Sequence, residues 1–451
     1  MRAAAAAMVL FAAGICRAAE AQIAYVAPSR DNTDIHAASL DGLRDNLLWR
    51  IPEAIAPEDG IGALSWSPDG KAIAFDSAHQ WRRSLAVRDI FVLNLESKQL
   101  LRPTNPPNPE SFAKMPKGTV TVDVETPLGG RKLEVYVEGA EQPVTYISPG
   151  GKDNGVQLGN VADFGPGIPQ YVRVYDYLLG DQTGLSCRFD LAVMANVEPG
   201  RTVHAGRMDF MTDMTCPITS SPAWRADGKA VLFLFNEPKR TAPSPVNIWQ
   251  TPVVDGPLKE PVMSRLLDMS AWTMDTQEIF AIAAYPLPEF SYYVLMIAEG
   301  AGASIRIVDT RNPRQLATLN LGVPDCAWCR IFGIAWLPDG SGFLFSRHER
   351  PAAGQNFSGA LYRYDVMTRR TKEIMRLPNE LIGRLSVSPD GKQVAFERSG
   401  GLDDAYPIGY TPLHGSRLLC PCSIWVAGIE GSSPHRIVAD GRAPAWRPQP
   451  N

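Results

Sequence analysis

A short turn unit that recurs along the chain limits the folds open to this sequence more than any other feature. An apolar or aromatic start leads into a Pro-Asp-Gly or Ala-Asp-Gly turn, and an alternating apolar strand follows. Proline presets φ at the first turn position, aspartate bonds back to the backbone, and glycine accepts a positive φ. Each copy therefore predicts a β-hairpin. The clear copies lie at 63–75, 222–235, 334–345 and 385–396.

Further strands extend each hairpin to a four-stranded unit. A degenerate copy joins 271–275 to 278–284, and another is divided between the chain ends, 23–50 with 443–447. Four antiparallel strands repeated about every 50 residues are typical of β-propeller blades. Pairing the two chain ends closes the ring and leaves no long open sheet edge. The sequence therefore predicts an all-β fold, a six-bladed β-propeller with an inserted β-sandwich domain.

These repeats resemble those of the TolB-like six-bladed propeller family. The segments 65–75 and 386–396 follow the pattern S-x-S-P-D-G-K-x-[IV]-A-F, and 444–448 is similar to that family's closing strand. The resemblance implies the propeller fold, while propellers of this type host unrelated activities. TolB carries a mixed α/β domain before its propeller, for which this sequence has no room ahead of Ile23. A role in the Tol system is therefore not implied.

The first 21 residues are interpreted as a signal peptide. Arg2 precedes an apolar stretch of small residues at 3–15, and Ala19-Glu20-Ala21 matches an A-x-A cleavage site. An uncleaved membrane anchor is the alternative, but an apolar core of about 13 residues is shorter than a span requires. We therefore expect a mature chain from Gln22 that is periplasmic or secreted, with no membrane span after cleavage.

An interruption of the repeat indicates the inserted domain. The segment 105–109 is rich in proline and stiff, and the alternating strands that follow it are typical of a small β-sandwich. The strands are predicted at 120–124, 133–137, 171–175 and 187–193. The expected organisation is a signal peptide at 1–21, blades 1 (part) and 2 at 22–104, the β-sandwich at 105–217, and blades 3–6 with the closing strand of blade 1 at 218–451.

The charge balance argues against nucleic acid as a partner. The chain has 44 Lys and Arg against 48 Asp and Glu, a formal net charge of −4, and no basic run of five or more, whereas nucleic-acid-binding proteins present a basic face. The sequence also contains no nucleophile elbow, phosphate-binding glycine loop or H-E-x-x-H motif. We therefore expect no cofactor.

Loop lengths are predicted to differ between the two ends of the propeller. The connections between strands two and three and between blades emerge on one face, and most are long. We call this the elaborated face, and the opposite one, with the Pro-Asp-Gly turns, the hairpin face. Loops longer than about 12–15 residues are usually functional or disordered. Aromatic and arginine side chains are typical anchors of protein interfaces. The candidate binding residues assigned to the elaborated face are Trp81, Arg82, Arg83, Tyr292, Tyr293, His348, Tyr406 and Tyr410.

Six cysteines remain after the expected cleavage, and their even number in an exported chain indicates disulfides. A bridge between Cys187 and Cys216 would close a loop at the exit of the insertion. For the other four, cross-bridges, local bridges and a four-thiolate zinc site are all open. The disulfide candidates are Cys187, Cys216, Cys326, Cys329, Cys420 and Cys422.

The sequence favours an exported, non-catalytic protein-interaction module whose rigid loops engage a protein partner of unknown identity, with a glycan as a second candidate ligand. The alternative is a metal-dependent hydrolase or lyase, or a carbohydrate-binding propeller, that uses the mouth of the propeller, its central opening on the elaborated face. A purely structural envelope component is the third hypothesis. No catalytic residue or metal ligand is assigned. The loop residues on which the metal alternative depends are His79, His348, His414, Glu349, Asp403 and Asp404.

Overall fold

A computed structural model of the chain shows, in the residues that it describes, strands arranged in eight sheets, six of which have four strands each in a propeller-blade order. No helix in the described part of the chain is long and apolar enough to cross a membrane. The structure describes residues 22–28, 33–52, 60–81, 84, 86–104, 113–126, 129–152, 155–177, 185–209, 214–216, 218–236, 246–253, 262–267, 278–299, 303–312, 316–324, 329–350, 356–400 and 422–449.

Blades 1 and 2 come first along the chain. Each strand pairs with the next in antiparallel register, and the innermost strand of blade 1 comes from the other end of the chain. Blade 1 contains β1 (Gln22–Pro28), β2 (Thr33–Ser39) and β3 (Asp45–Arg50), and blade 2 contains β4 (Ile61–Trp66), β5 (Ala72–Ser77), β6 (Asp89–Asn94) and β7 (Leu100–Leu101).

The insertion between blades 2 and 3 forms two sheets packed face to face. Alternate residues of its strands are buried and valine-rich, as a sandwich core requires. The strands are β8 (Lys117–Thr126), β9 (Lys132–Val137), β10 (Val144–Ile147), β11 (Gly151–Lys152), β12 (Val156–Ala162), β13 (Gln170–Tyr177), β14 (Leu185–Ala195), β15 (Thr202–Asp209) and β16 (Met214–Thr215). One sheet has the order β10-β9-β13-β14-β16, and the other has β11-β8-β12 with β15 parallel to β8.

Blades 3 to 6 follow the insertion. Blade 3 contains β17 (Ile218–Trp224), β18 (Ala230–Asn236), β19 (Val246–Pro252) and β20 (Ser264–Leu267), and blade 4 contains β21 (Glu278–Ala284), β22 (Tyr293–Glu299), β23 (Ala303–Asp309) and β24 (Leu316–Thr318). Blade 5 contains β25 (Arg330–Trp336), β26 (Gly342–Glu349), β27 (Ser358–Asp365) and β28 (Arg370–Pro378), and blade 6 contains β29 (Glu380–Val387), β30 (Gln393–Gly400), β31 (Ser423–Gly428) and β32 (His435–Val438).

The last strand closes the ring. β33 (Arg442–Trp446) pairs antiparallel with β1 and is the innermost strand of blade 1. Across this closure the Trp66 indole N–H donates to the Ala445 carbonyl at 3.0 Å. The prediction of a six-bladed propeller with an inserted β-sandwich is confirmed.

The Pro-Asp-Gly turns form as their residue types predict. In the first copy Ser67 Oγ donates to Asp69 Oδ1 at 2.6 Å, and the same oxygen accepts the Lys71 N–H at 3.1 Å. Gly70 has a φ of +67°, a conformation that L side chains rarely adopt. The turn therefore reverses the chain without backbone strain and sends the innermost strand into the second strand.

The strand assignment of blade 4 differs from the prediction. We expected 278–284 to be the second strand of a hairpin begun at 271–275, but β21 at Glu278–Ala284 is the innermost strand and β22 is the second. Residues 271–275 lie outside the described ranges. An apolar run without a Pro-Asp-Gly turn fits either position, so the sequence did not distinguish them. The connection 285–292 therefore lies on the hairpin face.

The insertion packs against a propeller loop. Trp81, from the connection between β5 and β6, is 4% exposed, and its ring centroid lies 4.0 Å from that of Tyr175 on β13. The Arg173 guanidinium donates to the Ser84 carbonyl and, at 3.2 Å, to the Tyr175 hydroxyl oxygen. The hydrophobic core of the insertion thus continues into the loop of blade 2.

Two buried carboxyl groups at this interface make stability depend on pH. Burial raises the pKa of Asp89 above its ordinary 3.8, against opposing effects of Arg102, Ser84, Thr104 and Arg173, and burial raises the pKa of Glu138 above 4.5, against Arg173 and the Tyr171 N–H. A carboxyl with a raised pKa binds its proton more tightly in the folded protein than in the unfolded chain. Stability contributed by both groups is therefore greatest below their ordinary values and falls as pH rises through the raised ones.

We expect these two groups to lower the free energy of unfolding as pH rises above their ordinary values of 3.8 and 4.5, by about 1.4 kcal/mol for each unit of pKa elevation. Urea unfolding across this range measures it. The Asp89→Asn variant should show a flatter pH dependence, since asparagine cannot ionise. A variant that follows the wild-type pH dependence would contradict this role of Asp89.

The structure contains a disulfide between Cys187 and Cys216, with Cα atoms 5.2 Å apart. Cys329 and Cys422 are also disulfide-bonded, while Cys326 and Cys420 lie outside the described residues. A disulfide sulfur is not a thiolate, so Cys329 and Cys422 are not zinc ligands in this state. The pairing predicted for Cys187 and Cys216 is confirmed.

We expect the double variant Cys187→Ser, Cys216→Ser to lose about 3 kcal/mol of unfolding free energy, because the bridge closes a loop with a sequence separation of 29 and constrains the unfolded chain. Urea unfolding of oxidised wild type and variant measures the loss. An unchanged midpoint would show that the bridge does not stabilise the insertion.

Candidate functional site

The structure distributes the predicted binding residues over different places. Trp81 is buried under the insertion, so its assignment as an exposed anchor is wrong. Tyr292 ends the connection between β21 and β22, and Tyr293 begins β22; both lie on the hairpin face, where the Arg311 guanidinium stacks 3.2 Å from the Tyr292 ring centroid. Their assignment to the elaborated face is wrong because blade 4 begins one strand later than predicted. Outside the described residues lie Arg82, Arg83, Tyr406 and Tyr410.

The innermost strands of the six blades surround an axial channel with a volume of about 320 Å³. Small and apolar residues form most of its wall, including Ala63, Pro222, Ala283 and Pro444. Arg384 contributes a charged side chain to this wall. The channel's lining residues extend along the innermost strands to their hairpin-face ends, where Trp336 and Pro286 contribute.

Arg384 connects blade 6 to blade 2. Its Nη1 donates to the Gly62 carbonyl on blade 2 at 2.5 Å, although the two residues are 322 positions apart in sequence. Its own N–H donates to Glu397 Oε2 at 2.9 Å, and Glu397 Oε1 accepts the Ala443 N–H at 2.5 Å. The Glu397 side chain thus holds the backbone of two neighbouring blades, including the backbone of Arg384.

A second buried carboxylate holds the other end of this bridge. Asp76 Oδ1 accepts the Ala63 N–H at 2.8 Å, and Asp76 Oδ2 pairs with Arg88 at 3.1 Å. Arg88 also donates to the Gly60 carbonyl at 2.7 Å. Only glycine fits at position 62, since a Cβ there would lie 2.2 Å from Asp76 Oδ2. The carbonyl that receives Arg384 is therefore rigidly placed.

His348 lies at the rim of the same mouth, at the end of the second strand of blade 5. It is the cross-strand neighbour of Arg330 on the innermost strand, so their side chains share one face of the sheet. Its ring centroid lies 6.4 Å from that of Phe332, which lines the channel, and 5.2 Å from that of Phe357. Arg350 lies over Phe357, with its Cζ 5.8 Å from the ring centroid.

The His348 imidazole is neutral at physiological pH. Burial, together with the Arg350 and Arg330 guanidinium groups and against the opposing effect of Glu349, lowers its pKa to about 4. A neutral imidazole accepts a proton, and guanidinium groups beside it attract an anion. The rim therefore combines a proton acceptor with two positive charges.

Glu349 is occupied by a network on the other side of the same strand. It accepts the Tyr362 hydroxyl at 2.7 Å and pairs with Arg376 at 2.7 Å and Arg347 at 3.3 Å. Arg347 continues this network to the Pro324 carbonyl at 2.6 Å. The network stiffens the end of β26 and fixes the strand from which His348 projects.

The three-histidine metal hypothesis receives no support from the described residues. His79 is 4% exposed, its Nδ1 lies 2.9 Å from Ser77 Oγ, and its ring packs 4.3 Å from that of Phe91. His414, Asp403 and Asp404 lie outside the described ranges. No group of three or more His, Cys, Asp or Glu side chains that could hold a metal occurs in the part of the chain that the structure describes.

Sequence reasoning missed Arg330, Arg350 and Arg384. None of them lies in a motif. Arg330 is recognisable only from the strand register that places it beside His348, Arg350 follows His348 by two residues in a loop without a motif, and Arg384 is recognisable only from the closed ring.

No protein-family model matches the chain, and no curated protein is significantly similar to it. Several solved structures share its fold. An oligogalacturonate lyase in complex with manganese is 10% identical over 93% of this chain and 86% of its own, with a TM-score of 0.36. A puromycin hydrolase variant complexed with PGG is 11% identical over 94% of this chain and 53% of its own, with a TM-score of 0.41.

Prolyl oligopeptidase B from Galerina marginata is 14% identical over 50% of this chain and 32% of its own, with a TM-score of 0.33. The chain thus spans about half of the hydrolase and a third of the oligopeptidase. These similar structures are enzymes, which contradicts the expectation of a non-catalytic interaction module. At such low identities the likeness concerns the fold, which is that of a β-propeller; the reaction has to be argued from the chain's own residues.

Proposed function

We propose that the chain is an exported propeller enzyme that acts on an anionic substrate at the elaborated-face mouth, with His348 as the proton acceptor. The observation that carries the proposal is a neutral imidazole flanked by two guanidinium groups at the rim of the channel. A base must be unprotonated to act, and a carboxylate bound by Arg330 or Arg350 would be held beside it.

This arrangement supports elimination from a carboxylate-bearing substrate such as a uronate oligosaccharide. His348 takes the proton from the carbon next to the carboxylate, the C–H electron pair forms a carbon–carbon double bond, and the bond to the leaving oxygen breaks. The leaving oxygen takes a proton from solvent. The guanidinium groups stabilise the negative charge that grows on the carboxylate as the proton departs.

Glycoside hydrolysis fits the site less well. It uses a pair of carboxyl groups that flank the scissile bond. Glu349 is the carboxylate whose charge raises the pKa of His348. It is bound to Tyr362, Arg347 and Arg376 on the other side of the strand. The proposal is therefore a lyase.

A substrate panel tests the proposal. The mature chain from residue 22 is incubated with uronate-containing polysaccharides and oligosaccharides and with neutral glycans of equal length. We expect unsaturated products, detected by their ultraviolet absorption and mass, from acidic substrates alone. Saturated products with one added water would indicate hydrolysis, and cleavage of neutral glycans would overturn the anionic-substrate assignment.

A further inference from the structure

We infer that the hairpin-face end of the axial channel is a second binding site, which takes a small neutral molecule with an apolar ring and a carbonyl oxygen. The inference goes beyond the proposed function and does not depend on His348. Three observations carry it: a buried indole N–H without a hydrogen-bond partner, the aromatic and apolar wall beside it, and the backbone bulges that shape this wall.

Tryptophans at the ends of two innermost strands bind the preceding blade through their indole groups. The Trp66 indole N–H donates to the Ala445 carbonyl at 3.0 Å. In the same way the Trp336 indole N–H donates to the Ala283 carbonyl at 3.3 Å. Both acceptors are alanines near the end of the preceding innermost strand. An alanine at this position therefore leaves its carbonyl to the indole.

Trp224 on blade 3 binds its neighbour differently. The preceding blade has Ser65 at this position, and Ser65 Oγ accepts the Trp224 backbone N–H at 2.9 Å. The Trp224 side chain lines the channel and is 8% exposed, and its Nε1 has no hydrogen-bond partner among the described residues. A buried donor without an acceptor destabilises a protein. A ligand oxygen at Trp224 would remove this cost.

Trp446 repeats the arrangement away from the channel. Its backbone N–H donates to Ser386 Oγ at 2.9 Å, and its Nε1 also lacks a partner among the described residues. Trp446 packs in a hydrophobic cluster and is not one of the residues that line the channel. It therefore provides a matched control for the role of Trp224.

The wall beside Trp224 suits an apolar ring. Trp336 lines the same end of the channel, and the Tyr285 ring packs edge-on against it with the centroids 4.8 Å apart. Pro286 and Val387 also line this end. Aromatic side chains bind other rings in such edge-to-face or offset arrangements. The channel volume of about 320 Å³ is at the small end of the range for ligand sites.

The position of charge along the channel favours a neutral ligand at this end. Arg384 is the one charged residue among the described residues of the wall. Its guanidinium donates to the Gly62 carbonyl, three residues before Ser65 on β4. At about 3.3 Å per residue, this charge is held about 10 Å from the contact between Ser65 and Trp224. Burial of an ionised ligand without a charged partner is unfavourable.

Backbone bulges give the wall its shape. In the described strands, the pairing of every innermost strand with its neighbour contains one shift of register. Ser221 and Ala443 lie at two of these shifts, line the channel, and have φ values of +52° and +51°. Bulges and positive φ at residues other than glycine are concentrated at functional sites. The bulges therefore support a binding role for the channel.

Nuclear magnetic resonance of the ¹⁵N-labelled chain tests the inference with three probes: acetophenone, ethylbenzene and benzoate. We expect acetophenone to shift the Trp224 indole N–H resonance, which is assigned by its absence in Trp224→Phe. Acetophenone should bind about fivefold more tightly than ethylbenzene, the effect of one neutral hydrogen bond. Benzoate should bind more weakly than acetophenone, because its charge has no partner at this end.

Variants separate the hydrogen bond from packing. Trp224→Phe keeps a ring without the N–H and should bind acetophenone and ethylbenzene equally. Trp446→Phe and His348→Ala should keep the wild-type preference. If Trp224→Phe fails to fold, Ser65→Ala supplies the alanine found beside Trp66 and Trp336, and should abolish the preference by giving the indole a carbonyl.

Three results would overturn the inference. They are an unshifted Trp224 resonance, acetophenone binding no tighter than ethylbenzene to the wild type, and benzoate binding tighter than acetophenone. Each of them leaves the proposed function standing, because none involves His348.

Discussion

Replacing His348 with alanine is expected to lower kcat on an acidic oligosaccharide about 10²–10⁴-fold, the usual contribution of a positioned general base. KM should change little, because the guanidinium groups that attract the substrate remain. The melting temperature should also change little, since His348 lies at the rim and is only partly buried. Steady-state kinetics and thermal unfolding of the same preparations measure both effects.

The matched control is His435→Ala. His435 is an exposed histidine at the start of β32, and its Nε2 lies 3.0 Å from the Leu40 carbonyl oxygen, away from the mouth. It should retain wild-type kcat. Wild-type activity in the His348→Ala variant would show that this residue takes no part in the reaction.

The His348 imidazole also sets the pH dependence of kcat/KM. Its pKa is lowered to about 4, and the neutral form is the active one, so kcat/KM should rise through about pH 4 and be level above it. Arg350→Gln removes a positive charge that disfavours the protonated ring, and should move this limb to higher pH. A wild-type limb near the ordinary histidine value of about 6.5 would contradict the environment described for the ring.

Replacing Trp81 with alanine is expected to cost about 3–5 kcal/mol of unfolding free energy, the range for deleting a large aromatic side chain from a core. The indole fills the joint between the blade 2 loop and the insertion, against Tyr175, and it is 4% exposed. Its loss would also leave Arg173, which is 3% exposed, in a poorly packed interface. Urea unfolding and proteolysis at the insertion measure the effect.

Trp81→Phe is the control for packing volume. It keeps an aromatic ring against Tyr175 and should lose substantially less stability than the alanine variant. An unfolding midpoint for Trp81→Ala equal to that of wild type would show that the insertion does not depend on this contact.

The fold was predictable because its determinants are local. Each Pro-Asp-Gly turn carries its own backbone constraint, as Ser67, Asp69 and Gly70 show, and reverses the chain whatever lies further away. The disulfide between Cys187 and Cys216 was equally predictable, from the positions of the two cysteines in the sequence and from the expected export of the chain. Blade 4 was misassigned where the turn motif is missing, because the apolar run of β21 fits a first or a second strand equally well.

The site was less predictable because it depends on closure of the ring. Arg384 meets Gly62 across 322 positions of sequence, and no local pattern encodes that distance. Trp81 was interpreted as an exposed anchor because aromatic loop residues often serve interfaces; it does serve one, but inside the protein. His348 was assigned to the mouth by loop position, while its neutral state depends on burial, on Arg350 and on Arg330, which only the strand register brings beside it.

The most direct test of the central claim is the titration of the His348 ring by nuclear magnetic resonance, with and without a galacturonate oligomer. The account predicts a ring that stays neutral down to about pH 4 and whose resonances shift when the oligomer is added, while those of His435 do not. A ring that titrates near the ordinary value of about 6.5 and does not respond to the oligomer would contradict the assignment of this mouth as the active site.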